Sequence, residues 1–235
     1  RESLEKSRNV PTIKIANKIG IQKMLNFFSR IGFNSEFRSD LSITLGSFGV
    51  TLIDLVRSYS IFLNGGHIIT PKYLLSVKDI YGADLTKDFE EIVSSEKEIN
   101  KDVLLEDDTS IADGIEEISA EVYNRKNAYI MKNLLRGVIN YGTGKKAKGI
   151  SRFFGGKTGT TSDYIDAWFV GFSSRLITGV WTGFDNNKSL GWPESGSKAA
   201  LPIWKEIMKK SFELYGPLDS EVPEGMVNVL IDKST

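Results

Sequence analysis

Between residues 153 and 184 three short segments follow one another closely, each dense in aromatic, β-branched and glycine residues: Phe153 to Thr161, Ala167 to Ser173, and Ile177 to Phe184. Such side chains suit a pleated, half-buried surface. The links between them are too short for the crossover that parallel strands need, so they can pair only as an antiparallel meander. Helical patterns flank it. Ile130-Met131, Leu134-Leu135 and Val138-Ile139 mark an amphipathic helix starting near Asn127. Leu201, Trp204, Met208 and Tyr215 share one face of a later helix with Pro202 in its first turn. Helices, a meander and a further helix predict an α+β fold.

The first part of the chain also reads as helical. Pro11 opens a segment that Gly20 closes, and Ile21, Met24-Leu25, Phe28 and Ile31 recur at helical spacing up to Gly32. Thr51 with Asp54 forms a capping box ahead of Leu55-Val56, Tyr59 and Phe62-Leu63, and Gly65-Gly66 stops that helix. Tyr73 to Val77 resembles a strand, hairpinned through Tyr81-Gly82. From Asp88 to Glu121 acidic residues dominate, which predicts a solvated insertion that packs little and lies away from any site.

Composition removes several classes of function. Lys+Arg and Asp+Glu both number 30, so the basic excess of a nucleic-acid binder is absent. No cysteine is present, and a single histidine, His67, follows two glycines as a surface loop residue, so no multi-histidine metal site can form. No cofactor is expected. No apolar run is long enough to span a membrane, and any anchor would lie upstream. The lysines at 145, 146 and 148 follow Gly142-Thr143-Gly144 without Walker spacing and read as a solvated basic turn. Trp168, Phe169, Trp181 and Trp204 read as core.

Two short patterns carry chemistry. Ser7-Arg8-Asn9-Val10-Pro11-Thr12 precedes the first helix, and Gly155-Gly156-Lys157-Thr158-Gly159-Thr160-Thr161 lies on the first strand of the meander. In order and context they resemble the SxN and KTG motifs of the penicillin-recognising serine transpeptidases. Three further stretches fit the same family: Gly46 to Thr51 with Asn64-Gly65-Gly66, Leu135 to Val138 with Gly142 to Gly144, and Asp163-Tyr164 with Asp166 to Phe172. The last is similar to the class A, bifunctional type. The resemblance covers residues 1–235 as a β-lactamase/transpeptidase-like domain incomplete at its N-terminus, with 88–121 as an insertion.

The resemblance implies a serine that attacks the carbonyl of a D-Ala-D-Ala stem peptide or a β-lactam to form an acyl-enzyme. Ser7 would pass a proton to the leaving amine, Asn9 would hold the substrate amide carbonyl, and Lys157 would supply positive charge. Thr158, Gly159, Thr160 and Thr161 would line the substrate strand, with the Thr160 N–H as half of the oxyanion hole. Bland readings compete: Lys157 as a solvated lysine, Ser7 as a helix cap, Asn9 as a turn residue. The nucleophile helix would stand before Ser7, outside this chain. Ser3, Ser94 and Ser195 each have a lysine three residues on, but each stands in the wrong place. The resemblance places the complete protein on the outer face of the cytoplasmic membrane. It makes the chain alone inactive until the missing N-terminal part of the domain is supplied. A D,D-carboxypeptidase, a β-lactamase-like hydrolase, or a non-catalytic peptide-binding module are the alternatives.

Overall fold

The structure, a computed structural model, describes residues 1–33, 37–88, 121–151, 153–173, 175–216, 222–227 and 229. They fall into two compact units, Arg1–Ile69 with Ser119–Thr235, and Thr70–Ile118. The greater part of the acidic insertion, residues 89–120, lies outside the described residues.

In the first unit the helices begin and end at their caps and breakers. α1 is Glu2–Glu5, α2 is Asn9–Ile19 and α3 is Ile21–Arg30. Pro11 lies in the first turn of α2, where its missing N–H breaks no helical bond. Gly20, at φ 92°, ends that helix. A 3-10 turn at Leu41–Leu45 leads to α4, Leu52–Leu63, whose N-cap Thr51 accepts the Asp54 N–H through its hydroxyl. α5 runs Arg125–Tyr141, starting ahead of the expected Asn127 because Asn124 caps it by accepting from the Lys126 and Asn127 N–H groups.

The meander is present as β1, Gly155–Thr160, β2, Ala167–Phe172, and β3, Ile177–Thr182, antiparallel in the order β1-β2-β3. Each is shorter than its hydrophobic run, because Phe153, Phe154, Thr161, Ser173, Gly183 and Phe184 lie outside the ladder. Register assigns the two faces. Thr158, Phe169 and Val180 stand opposite one another, on the face covered by α6, Ala200–Tyr215. Trp204 of α6 packs against Phe169 with ring centroids 4.7 Å apart and planes tilted by 55°, and both are fully buried. Lys157, Val170 and Gly179 share the other face. There α4 comes so close that a Cβ on Gly179 would lie 2.5 Å from Val56. α5 passes β1 on this side, with its Arg136 N 3.0 Å from where a Gly155 Cβ would stand. The result is an α+β sandwich with helices on both faces of the sheet. A second cluster, built on Ile31, Phe33, Ile61, Ile68 and Val122, joins α3 to α4.

Four expectations need correction. Tyr215 is 57% exposed, because α6 overruns the sheet, and its buried face ends at Ser211. Trp168 and Trp181 are not core; they pair at 6.0 Å on the face opposite α6, and the Trp181 indole N–H donates to Asp166 at 2.8 Å. His67 is half-buried and bridges to Glu121. In the second unit, Tyr73 to Val77 form no strand: a single bridge joins Lys78 to Asp84 around a turn in which Asp79 accepts the Tyr81 and Ala83 N–H groups. Tyr73 and Leu75 are 81% and 83% exposed, and a strand needs a partner or a covered face. Among the described residues no helix is long and apolar enough to cross a membrane.

Trp204 touches both Phe154 and Phe169, so Trp204→Ala should destabilise the protein by about 3–5 kcal/mol, read as a shift in the urea midpoint without a change in slope.

Candidate active site

The site begins with the way α1 stops. The Arg8 N–H reaches back to Ser3 O at 2.8 Å and the Ser7 N–H to Leu4 O at 3.2 Å, the paired bonds of a Schellman turn. The first residue beyond the helix cap in such a turn must be left-handed and is ordinarily glycine. Here it is Ser7, with φ 53°. An L-residue in that region is disfavoured by about 1–2 kcal/mol. What serine adds over glycine is a hydroxyl held in one place.

That hydroxyl meets Lys157, the third residue of β1. Lys157 Nζ donates to Ser7 Oγ at 2.8 Å and to Thr158 O at 2.8 Å, linking positions 150 residues apart. Lys157 is half-buried, and burial pushes its pKa down to about 8, since lost hydration penalises the charged form. It is therefore not a freely solvated strand lysine. Nor does Ser7 cap α2: the N-cap is Arg8, without a side-chain bond.

Glycines bring α1 this close to α5. Glu5 is 4% exposed; a Cβ on Gly137 would lie 2.1 Å from its Oε1, and one on Gly142 would lie 2.0 Å from its carbonyl oxygen. Only residues without side chains allow that approach. The following Thr143 then donates its N–H to Glu5 O at 3.0 Å, and its hydroxyl pairs with that of Thr158 at 2.7 Å.

The remaining predicted residues take distinct positions. Thr158 and Thr160 alternate with Lys157 along β1 and so face the other way. The Gly196 N–H donates to Thr160 Oγ1 at 3.0 Å. Gly159 sits over Trp168, whose Cβ is 3.1 Å from where its own Cβ would be. Thr161 is turned into the β1–β2 connection, where its hydroxyl accepts the Asp166 N–H at 2.7 Å. Asn9 is exposed on the first turn of α2, two residues beyond Ser7. Of the serines followed by a lysine three residues on, Ser3 has its Lys6 bound to Glu2 at 2.7 Å and Ser195 is bonded to Ser197 at 3.0 Å. Ser94 lies outside the described residues.

Sequence reasoning passed over Glu5, Thr143 and Gly196. For Thr143 a signal existed, a Gly-Thr-Gly turn closing a helix that already carries Gly137. Glu5 and Gly196 had no comparable signal, because their contacts come from elements remote in sequence.

Comparison with known proteins gives this geometry a context. Residues 1–209 match the family model described as penicillin binding protein transpeptidase domain. Penicillin-binding protein 1A of Rickettsia conorii is 32% identical over 237 residues, covering 100% of this chain and 29% of that protein. Penicillin-binding protein 1A of Pseudomonas aeruginosa is 31% identical over 260 residues, covering 100% of this chain and 32% of that protein. The chain thus spans about a third of the length of these relatives. Among solved structures, penicillin-binding protein 1A from Haemophilus influenzae superposes with a TM-score of 0.79 at 26% identity, covering 98% of this chain and 37% of that one. PonA1 from Mycobacterium tuberculosis in complex with penicillin V shares the fold, with a TM-score of 0.69 at 19% identity over 96% of this chain and 59% of that one.

The left-handed turn makes a stability prediction independent of chemistry. Ser7→Gly and Ser7→Ala both remove the hydroxyl, but glycine relieves the backbone. The glycine variant should be the more stable by about 1 kcal/mol in denaturant unfolding, and equal stabilities would mean that the turn relaxes.

Proposed function

Because the chain belongs to the transpeptidase-domain family of penicillin-binding proteins, and within it to the class A group, we propose that it builds part of an acyl-transfer site that cross-links peptidoglycan stem peptides. The observation that carries this reading is the 2.8 Å bond from Lys157 to Ser7. In it Ser7 Oγ accepts, which leaves the Ser7 O–H free to donate.

The proposed reaction has two halves. A serine oxygen, activated by a lysine one helical turn away, attacks the carbonyl of the penultimate D-Ala. The peptide C–N bond breaks, the departing D-Ala amine takes its proton from Ser7, and Ser7 is reprotonated by the activating lysine, which holds the proton taken from the attacking serine. An amine of a second stem peptide then attacks the acyl-serine, forming the cross-link and restoring the serine. With the substrate lying along the edge of β1, Lys157 attracts the terminal carboxylate from one face of the strand, the Thr158 and Thr160 hydroxyls donate to it from the other, and Asn9 holds the amide carbonyl. Thr161 supports the end of that strand, and the Thr160 N–H faces the developing oxyanion. A β-lactam enters the same way, with its carboxylate in place of that of D-Ala.

The nucleophile in this proposal comes from a part of the polypeptide other than residues 1–235, and the complete protein works on the outer side of the cytoplasmic membrane. Positioning of serine and lysine can supply about 7–11 kcal/mol of the barrier. Residues 1–235 alone should therefore give no stoichiometric adduct with a penicillin by mass spectrometry. Full-length protein should be labelled, and Lys157→Ala should abolish most of that labelling. An adduct on any serine of the isolated chain overturns the assignment of the nucleophile.

Lys157 also sets a pH dependence. Its pKa is lowered to about 8 in the folded protein, so the ammonium is complete below that value and is lost as pH rises through it. At subsaturating penicillin the acylation rate of the full-length protein should fall above about pH 8, since that rate reports the free enzyme. The sign for stability is opposite: burial of the charge costs folding free energy below pH 8, and the cost is relieved between there and the ordinary lysine value. A flat profile from pH 7 to 10 would remove Lys157 as the cation that recruits the carboxylate.

A further inference from the structure

Thr143 has no part in the scheme above, yet it touches both halves of the site. Its N–H donates to Glu5 O at 3.0 Å, two residues before Ser7. Its hydroxyl stands 2.7 Å from that of Thr158, one residue after Lys157. It follows Gly142, whose lack of a side chain lets the Glu5 carbonyl approach, and precedes the buried Gly144, whose N–H donates to Val138 O at 3.0 Å. The turn is thus fastened to the end of α5 on one side and to α1 on the other, and its one free polar group is spent on β1.

Two hydroxyls in contact share one proton and leave one over. If Thr158 donates to Thr143, its own proton is occupied and an incoming carboxylate meets only lone pairs. If Thr143 donates to Thr158, the Thr158 proton is free to point outward. An anion beside Thr158 selects the second arrangement, and a donor that is itself hydrogen-bonded as an acceptor is polarised toward stronger donation. We propose that Thr143 is a positioning residue that orients the Thr158 hydroxyl as a carboxylate donor and ties the Ser7 turn to β1. This rests on the transpeptidase reading for the identity of the anion, the C-terminal carboxylate of a stem peptide or the carboxylate of a β-lactam.

The test compares two ligands on the full-length protein, a penicillin with its free carboxylate and the methyl ester of the same penicillin. Thr143→Val keeps the shape of the side chain and the backbone bond to Glu5 but removes the hydroxyl. The second-order acylation rate with the free acid should fall about tenfold, mainly through weaker binding, while the slower rate with the ester should stay within about twofold. Thr143→Ser, which retains the hydroxyl, should restore the free-acid rate. A Thr143→Val variant that loses equally on both ligands would show a general structural role and overturn the proposal, as would one that loses on neither. Wild-type protein that takes no label from either ligand would overturn the transpeptidase reading itself, and this role with it. Labelled wild type with an unselective variant rejects the role of Thr143 alone.

Discussion

An ammonium group withdrawn from water is tolerated only where acceptors replace the lost hydration, and Lys157 finds two, Ser7 Oγ and Thr158 O. One is its own strand neighbour and comes without effort. The other must be delivered from the far end of the chain, and much of the surrounding structure serves that delivery. Ser7 is held in a left-handed turn, α1 is pressed onto α5 at two glycines, and the turn after α5 hydrogen-bonds back to Glu5. On the opposite face of the sheet, the fully buried Trp204 and Phe169 hold β2, and through the ladder β1, against α6. The depressed pKa of Lys157 and the strained backbone of Ser7 express one compromise, in which local stability is given up so that a hydroxyl and a cation meet at a fixed distance.

Local signals in the sequence carried most of the helices and all three strands. Pro11, Gly20 and the Thr51–Asp54 box act through their own backbone, so their meaning does not depend on the rest of the fold. Strand lengths and burial were less legible. The hydrophobic runs around β1 and β3 continue past the ladder, and whether a tryptophan is core depends on whether a helix lies above it. α6 covers Phe169 but not the Trp168–Trp181 pair, a difference settled by strand alternation together with the placement of α6. Tyr73 to Val77 had the composition of a strand and lacked a partner.

Within the site, Ser7 and Lys157 could be read from motif order alone, and the structure brings them together. Motif order says nothing about which hydroxyls are already engaged. Thr161 sits in the same run as Thr158 and Thr160 but is bonded to Asp166 in the strand connection. Thr143 reaches Thr158 from a turn whose glycines looked like punctuation. Such roles belong to the second partner in a hydrogen bond, and sequence spacing names only the first.

The backbone bonds from the Val122 and Tyr123 N–H groups to Gly66 O, both at 3.0 Å, join the end of α4 to the start of α5. The entropy cost of holding two points of a chain together grows only with the logarithm of the length between them. Doubling or halving that segment changes the closure term by about 0.6 kcal/mol. The cost of holding α4 and α5 together at Gly66 is therefore nearly indifferent to how many residues the chain spends between them.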